Sequence, residues 1–183
     1  EKQYILVGNH MSYLDALISA VASNNFKKYI GKAEILKYPV LGYLLKKLYV
    51  PVQREQKKSR KWSMETMFKY LKDGASMVIF PEGTRSTSRK MSRFKHGVSL
   101  LALDRKVPVV PVYLTGLAKL RPKGTREIFP GPASANIQPP IYFEEGTSVE
   151  DATRQIFDAL NTVHQRVLEH GDEAGRWDWT PDQ

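Results

Sequence analysis

The chain has 183 residues, of which 42% are hydrophobic and 26% charged, and it carries a formal net charge of +9 and no cysteine. That length suits one domain with a sizeable buried core, and the lack of cysteine excludes disulfides, thiolate metal ligands and any cysteine nucleophile. The charge is unevenly spread, since residues 27–61 hold eleven Lys and Arg against Glu34 and Glu55, whereas residues 142–183 hold ten Asp and Glu against Arg154, Arg166 and Arg176.

The polypeptide begins at Glu1, and its first apolar run, "QYILVG", follows almost at once. This predicts one domain over residues 1–183, cut from a longer chain and lacking its upstream region. No window approaches the roughly 18 uninterrupted apolar residues of a membrane span, and no signal-peptide pattern is present, so the segment is expected to be soluble. Further short apolar runs follow in order: "KKYIGK", "LYVPVQ", "ASMVIF", "VPVVPVYL" and "NIQPPIYF", with helical patterns between most of them. The alternation predicts an α/β domain, a mixed, mainly parallel sheet flanked by helices. Met64, Met67, Phe68 and Leu71 predict a helix over 58–73 that stops at Gly74. Ser148, with Asp151 three residues on, opens a long amphipathic helix through Val149, Ala152, Ile156, Leu160 and Val163 to Gly171. Residues 172–183 show no period and read as an irregular tail.

In open α/β sheets ligands gather beyond the carboxyl ends of the strands, and two strand-to-loop junctions there are polar. The first, "LVGNHMSYLD", puts His10 at a strand end and Asp15 one turn into the next helix. A histidine whose second nitrogen is held by a carboxylate is a useful general base. The same stretch, Ser12 to Asp15, also reads as a capping box, in which Asp15 only supports a helix start. At the second junction, "FPEGTRS", Pro81 ends a strand and Gly83 lets the backbone approach a ligand, while Thr84, Arg85 and Ser86 offer donors suited to a phosphate. As an isolated segment it is equally a generic turn.

Taken together, "NHMSYLD" and, about seventy residues later, "FPEGTRS" resemble the glycerolipid acyltransferase family, whose members include 1-acylglycerol-3-phosphate and glycerol-3-phosphate acyltransferases. "GKAEILKYPVLGYLLKKLYVPVQRE" and "VPVVPVYLTG" are similar to that family's second and fourth blocks, so the resemblance runs from about residue 4 to residue 116. It implies the glycerolipid acyltransferase fold, with His10 as general base and Asp15 as its orienting carboxylate. Glu82, Gly83, Thr84, Arg85 and Ser86 would then line the acceptor site, and Arg54 would help to hold its phosphate. Lys32, in "GKAE", and Lys95, in "RFKHG", would join them as substrate-binding residues.

The implied reaction is acyl transfer from acyl-CoA or acyl carrier protein to the free hydroxyl of a lysophospholipid, 1-acylglycerol 3-phosphate first among the acceptors. Glycerol 3-phosphate, lysophosphatidylethanolamine and a non-phosphorylated lyso-lipid are the other acceptors in view, and a non-catalytic lipid-binding module is the rival outside enzymology. The scheme calls for no metal and no cofactor. "LKYPVLGYLLKKLYV" interleaves bulky apolar residues with lysines, which suits either contact with an anionic membrane or a buried helix with a basic rim; the first is the expectation, with the domain peripheral on the cytoplasmic face. Nucleic acid is not expected, because the aromatic residues are not interleaved with the basic run as a stacking platform requires.

Overall fold

Ile5–Gly8, the core of the first apolar run, is buried along its whole length and forms strand β1 in the computed structural model of the protein, which describes residues 3–21, 27–32, 43, 49–52, 57–86, 90–125 and 127–171. An all-apolar strand needs cover on both faces, and the neighbours of β1 provide it. The other strands are β2 (Lys27–Lys32), β3 (Tyr49–Val52), β4 (Ser76–Ile79), β5 (Val109–Thr115) and β6 (Ser134–Ile137). They form one sheet in the order β3-β2-β4-β1-β5-β6, parallel throughout except for β6, which runs antiparallel to β5. The helices whose bounds fall among the described residues are α1 (Asp15–Val21), α2 (Lys57–Lys72), α3 (Gly97–Arg105), the short α4 (Leu117–Leu120) and α5 (Val149–His170).

Alternate strand residues face opposite layers. Ile5, Val7, Met77, Val109 and Tyr113 pack against Met67 and Leu71 of α2, Val98 and Leu101 of α3, and Ile156, Leu160 and Val163 of α5. Leu6, Val78, Val112 and Leu114 point the other way and meet Leu14 beside α1, Ala16 and Ile18 within it, and Leu117 of α4.

The expected helix over 58–73 is α2, and its end is a Schellman motif: the Gly74 amide donates to the Leu71 carbonyl and the Ala75 amide to that of Tyr70. Ser148 caps α5, its hydroxyl oxygen accepting from the Asp151 amide at 3.0 Å, and the helix ends at Gly171 as expected. The last strand differs from expectation. "NIQPPIYF" predicts pairing through residues 136–143, yet β6 stops at Ile137; past it the Gln138 amide still donates to the Pro111 carbonyl, and an isolated bridge joins Ile141 to Val109. Pro139 and Pro140 have no amide to donate to a ladder. Two prolines do lie within strands, Pro51 in β3 at the opposite edge of the sheet, where a missing donor costs least, and Pro111 in β5, opposite Val7 of β1. Residues 172–183 and most of the basic 33–48 segment lie outside the described residues.

The chain leaves β1 towards β2 on one side and later crosses from β4 to β5 on the other. The carboxyl end of β1 therefore sits where the winding direction reverses, the place at which open α/β sheets bind ligands. Beyond β5 the chain turns sharply at Gly116, which has φ +79°, and a Cβ there would lie 2.2 Å from the Pro132 carbonyl oxygen. Gly116→Ala thus adds a left-handed penalty of about 1–2 kcal/mol to a backbone clash. We expect a loss of about 3 kcal/mol or more, read as a fall in Tm of roughly 6 °C or more; an unchanged Tm would mean that the 132–133 segment does not pass there.

Candidate active site

The loop after β1 turns back on itself so that the His10 ring meets Asp15 at the start of α1. His10 Nδ1 lies 2.7 Å from Asp15 Oδ2. The same oxygen accepts from the amides of Met11 at 2.7 Å and Ser12 at 2.9 Å. An ionised carboxylate can only accept, so Nδ1 carries a proton towards Asp15 and, in the neutral ring, Nε2 keeps a lone pair. The Asp15 side chain is fully buried while that of His10 is 19% exposed, so the carboxylate is sealed from water and the base is reachable. Phe80 stacks on the imidazole with ring centroids 4.6 Å apart and planes 15° from parallel. The two sequence readings of Asp15 are not alternatives, because one oxygen ties the helix start through Ser12 and orients His10.

The junction after β4 is bolted to this loop. Phe80 to Gly83 form a turn with the Gly83 amide donating to the Phe80 carbonyl, Pro81 at the second position and Gly83 at the fourth, as a type I turn favours. Glu82 is buried and uses both oxygens on backbone amides, Oε1 on His10 at 2.9 Å and Oε2 on Ser92 at 3.1 Å. The Ser86 amide donates to the His10 carbonyl at 2.8 Å. The backbone of residue 10 is held on both sides by residues some seventy positions away. Gly83 has φ +71°, and the end of the Lys95 side chain passes over it, within 2.6 Å of where a Cβ would stand.

His10, Asp15, Glu82, Gly83, Arg85, Ser86 and Lys95 therefore come together, with Thr84 exposed at the rim. Lys32 is the last residue of β2, two strands from β1, and its side chain lies outside the described residues, as does Arg54 entirely.

Sequence reasoning overlooked several neighbours. The buried Asn9 side chain bonds both backbone groups of Leu114, at 3.0 and 2.7 Å, and so prolongs the contact of β1 with β5 beyond the strand end. The Tyr13 ring carries the guanidinium of Arg85, 3.6 Å from its centroid, and that of Arg121, at 4.7 Å. Beside the His10 loop opens a cleft of about 440 Å³, walled by Met11, Glu82 and Ser86 on one side and Leu117, Val167 and Leu168 on the other. At its floor the Tyr113 hydroxyl meets His164 Nδ1 at 2.6 Å. Volume and mixed lining are those of a small-molecule site. An oriented imidazole with a sealed carboxylate behind it, and guanidinium groups on the Tyr13 ring of the same loop, can remove a proton from a hydroxyl of an anionic compound.

The chain is similar to known proteins of one family. The model of the family described as Acyltransferase matches residues 1–115. A chloroplastic 1-acyl-sn-glycerol-3-phosphate acyltransferase of Brassica napus is 32% identical over 162 residues, covering 87% of this chain and 47% of that protein. The 1-acyl-sn-glycerol-3-phosphate acyltransferase of Limnanthes douglasii is 30% identical over 162 residues, covering 86% and 58%. This chain thus spans about half the length of such curated relatives. Among solved structures, the 1-acyl-sn-glycerophosphate acyltransferase PlsC of Thermotoga maritima superposes with a TM-score of 0.79 at 26% identity, over 98% of this chain and 69% of that one.

Proposed function

Because the chain belongs to the Acyltransferase family, we propose that it moves an acyl group from a thioester donor, acyl-CoA or acyl carrier protein, to the free hydroxyl of a lysophospholipid, 1-acylglycerol 3-phosphate. The observation that carries this reading is the His10–Asp15 hydrogen bond, which uses Nδ1 and leaves Nε2 of a partly exposed ring to meet the substrate. Nε2 takes the hydroxyl proton as the acceptor oxygen attacks the thioester carbonyl carbon. The tetrahedral intermediate then collapses, the carbon–sulfur bond breaks, and the imidazolium returns its proton to the departing thiolate. Asp15 stabilises the imidazolium throughout.

The acceptor hydroxyl stands where a hydrolase would place its own serine, so no acyl-enzyme forms. The names of the relatives favour 1-acylglycerol 3-phosphate as the acceptor. The apolar wall of the cleft, Leu117, Val167 and Leu168, supports a place for an acyl chain beside His10. Arg85, Lys95 and Thr84, with Arg54 and Lys32, are proposed to meet the polar end of the substrates, whereas Glu82 serves by holding His10 in register. Among the described residues no helix is long and apolar enough to cross a membrane. The reading places the domain peripherally on the cytoplasmic face of an anionic membrane, from which the acceptor is drawn.

Incubation of the purified protein with radiolabelled acyl donor and a panel of lyso-lipids tests this. Label should enter the diacyl product of 1-acylglycerol 3-phosphate. Label entering only a non-phosphorylated or nitrogen-bearing acceptor, or none, would overturn the acceptor or the activity respectively.

A further inference from the structure

Two guanidinium groups rest on one aromatic ring of the His10 loop, and nothing in the sequence motifs called for the second. Arg85 follows β4 and Arg121 follows α4, yet both lie on Tyr13, which belongs to the same loop as His10. Among the described residues neither forms an ion pair with a carboxylate, and the nearby Asp15 and Glu82 are turned inward on His10 and on backbone amides. The Nε of Arg121 is buried without a hydrogen-bond partner among the described residues. Like charges held together repel, and a buried donor left unmade is costly. An anion bridging the two removes both penalties.

The arrangement is also held in place. The Ser12 hydroxyl donates to the Arg121 carbonyl at 3.2 Å, and Lys123 Nζ donates to the Arg85 carbonyl at 2.9 Å, so each arginine's backbone is tied to the other's neighbourhood. Ser12 in turn donates its amide to Asp15. One short bonded path therefore fixes Arg121 relative to His10, as positioning a reacting hydroxyl demands.

We infer that Arg121 is a phosphate-binding residue, forming with Arg85 on the Tyr13 platform a two-guanidinium clamp for the phosphate monoester of the acyl acceptor. Planar guanidinium forks suit phosphate oxygens, and a pair of them favours the dianionic monoester over a diester or an uncharged headgroup. This inference rests on the acceptor reading above.

Arg121→Gln and Arg121→Lys test it, with Arg105→Gln on α3 as a control for lost surface charge. With lysophosphatidate as acceptor, Arg121→Gln should raise KM roughly 10- to 100-fold with kcat little changed. KM for monoacylglycerol should stay put, Arg121→Lys should recover part of the loss, and Arg105→Gln should match the wild type. Separately, 31P line broadening of glycerol 3-phosphate by the wild-type protein should vanish in Arg121→Gln. Equal losses on both acceptors, or unchanged KM and unchanged broadening, would overturn the clamp while leaving lysophosphatidate turnover by the wild type intact. If the wild type turned over no lysophosphatidate, the acceptor reading would fail, and the broadening difference would still decide for or against Arg121.

Discussion

His10→Ala is expected to lower kcat by about 10²–10⁴-fold, the range a positioned general base contributes. The domain should still fold, because the lost contacts are few: the stacking on Phe80, and one of the three donors that share Asp15 Oδ2. Those contacts together set a stability loss of about 1–3 kcal/mol. The informative comparison is between the two readouts. A variant that kept most of its kcat would show that another group takes the acceptor proton, whatever happened to its Tm.

Asp15→Asn should be nearly as harmful to turnover, for a different reason. The oxygen at the Oδ2 position must still face the amides of Met11 and Ser12, so the new amide nitrogen is forced to the Oδ1 position, which is buried with no hydrogen-bond partner among the described residues. The hydrogen bond to His10 survives in outline, but the negative charge that stabilises the imidazolium is gone. Loss of such a preorganised electrostatic contact reduces kcat by about 10²–10³-fold, and the stranded amide nitrogen destabilises by about 1–3 kcal/mol. Asp15→Ala should be less stable still, since two loop amides lose their acceptor. Steady-state kinetics and thermal melts of the pair separate the roles. If Asp15→Asn lost stability and kept turnover, Asp15 would be a helix-start residue only.

How much of this was legible beforehand depends on how local the physics is. The His10–Asp15 pair could be read because both residues lie within one loop and the first turn of one helix, so five positions of spacing nearly determine their meeting. The sheet was legible because parallel strands are buried on both faces and therefore appear as unbroken apolar runs such as Ile5 to Val7 and Met77 to Ile79. The end of β6 is hidden in the sequence because the apolar run continues through Pro139 and Pro140, whose missing amides end the ladder.

What could not be read were partnerships made by topology. Arg121 and Tyr13 meet only because β5 lies next to β1, on the side opposite β4, and no periodicity links their positions. The bonds of Asn9 to Leu114 have the same origin. Glu82 is an intermediate case: its place beside the site followed from the strand end, whereas its two partners, the amides of His10 and Ser92, follow from how the loops fold over one another.

The central claim is that His10 activates the acceptor directly while the donor is bound, with no acylated protein between. Initial rates measured with acyl donor and lysophosphatidate varied together test it most directly, accompanied by mass analysis of protein incubated with donor alone. The account predicts intersecting double-reciprocal lines, as a ternary complex requires, and protein of unchanged mass. Parallel lines together with a trapped acyl group, on Ser12 for instance, would contradict it.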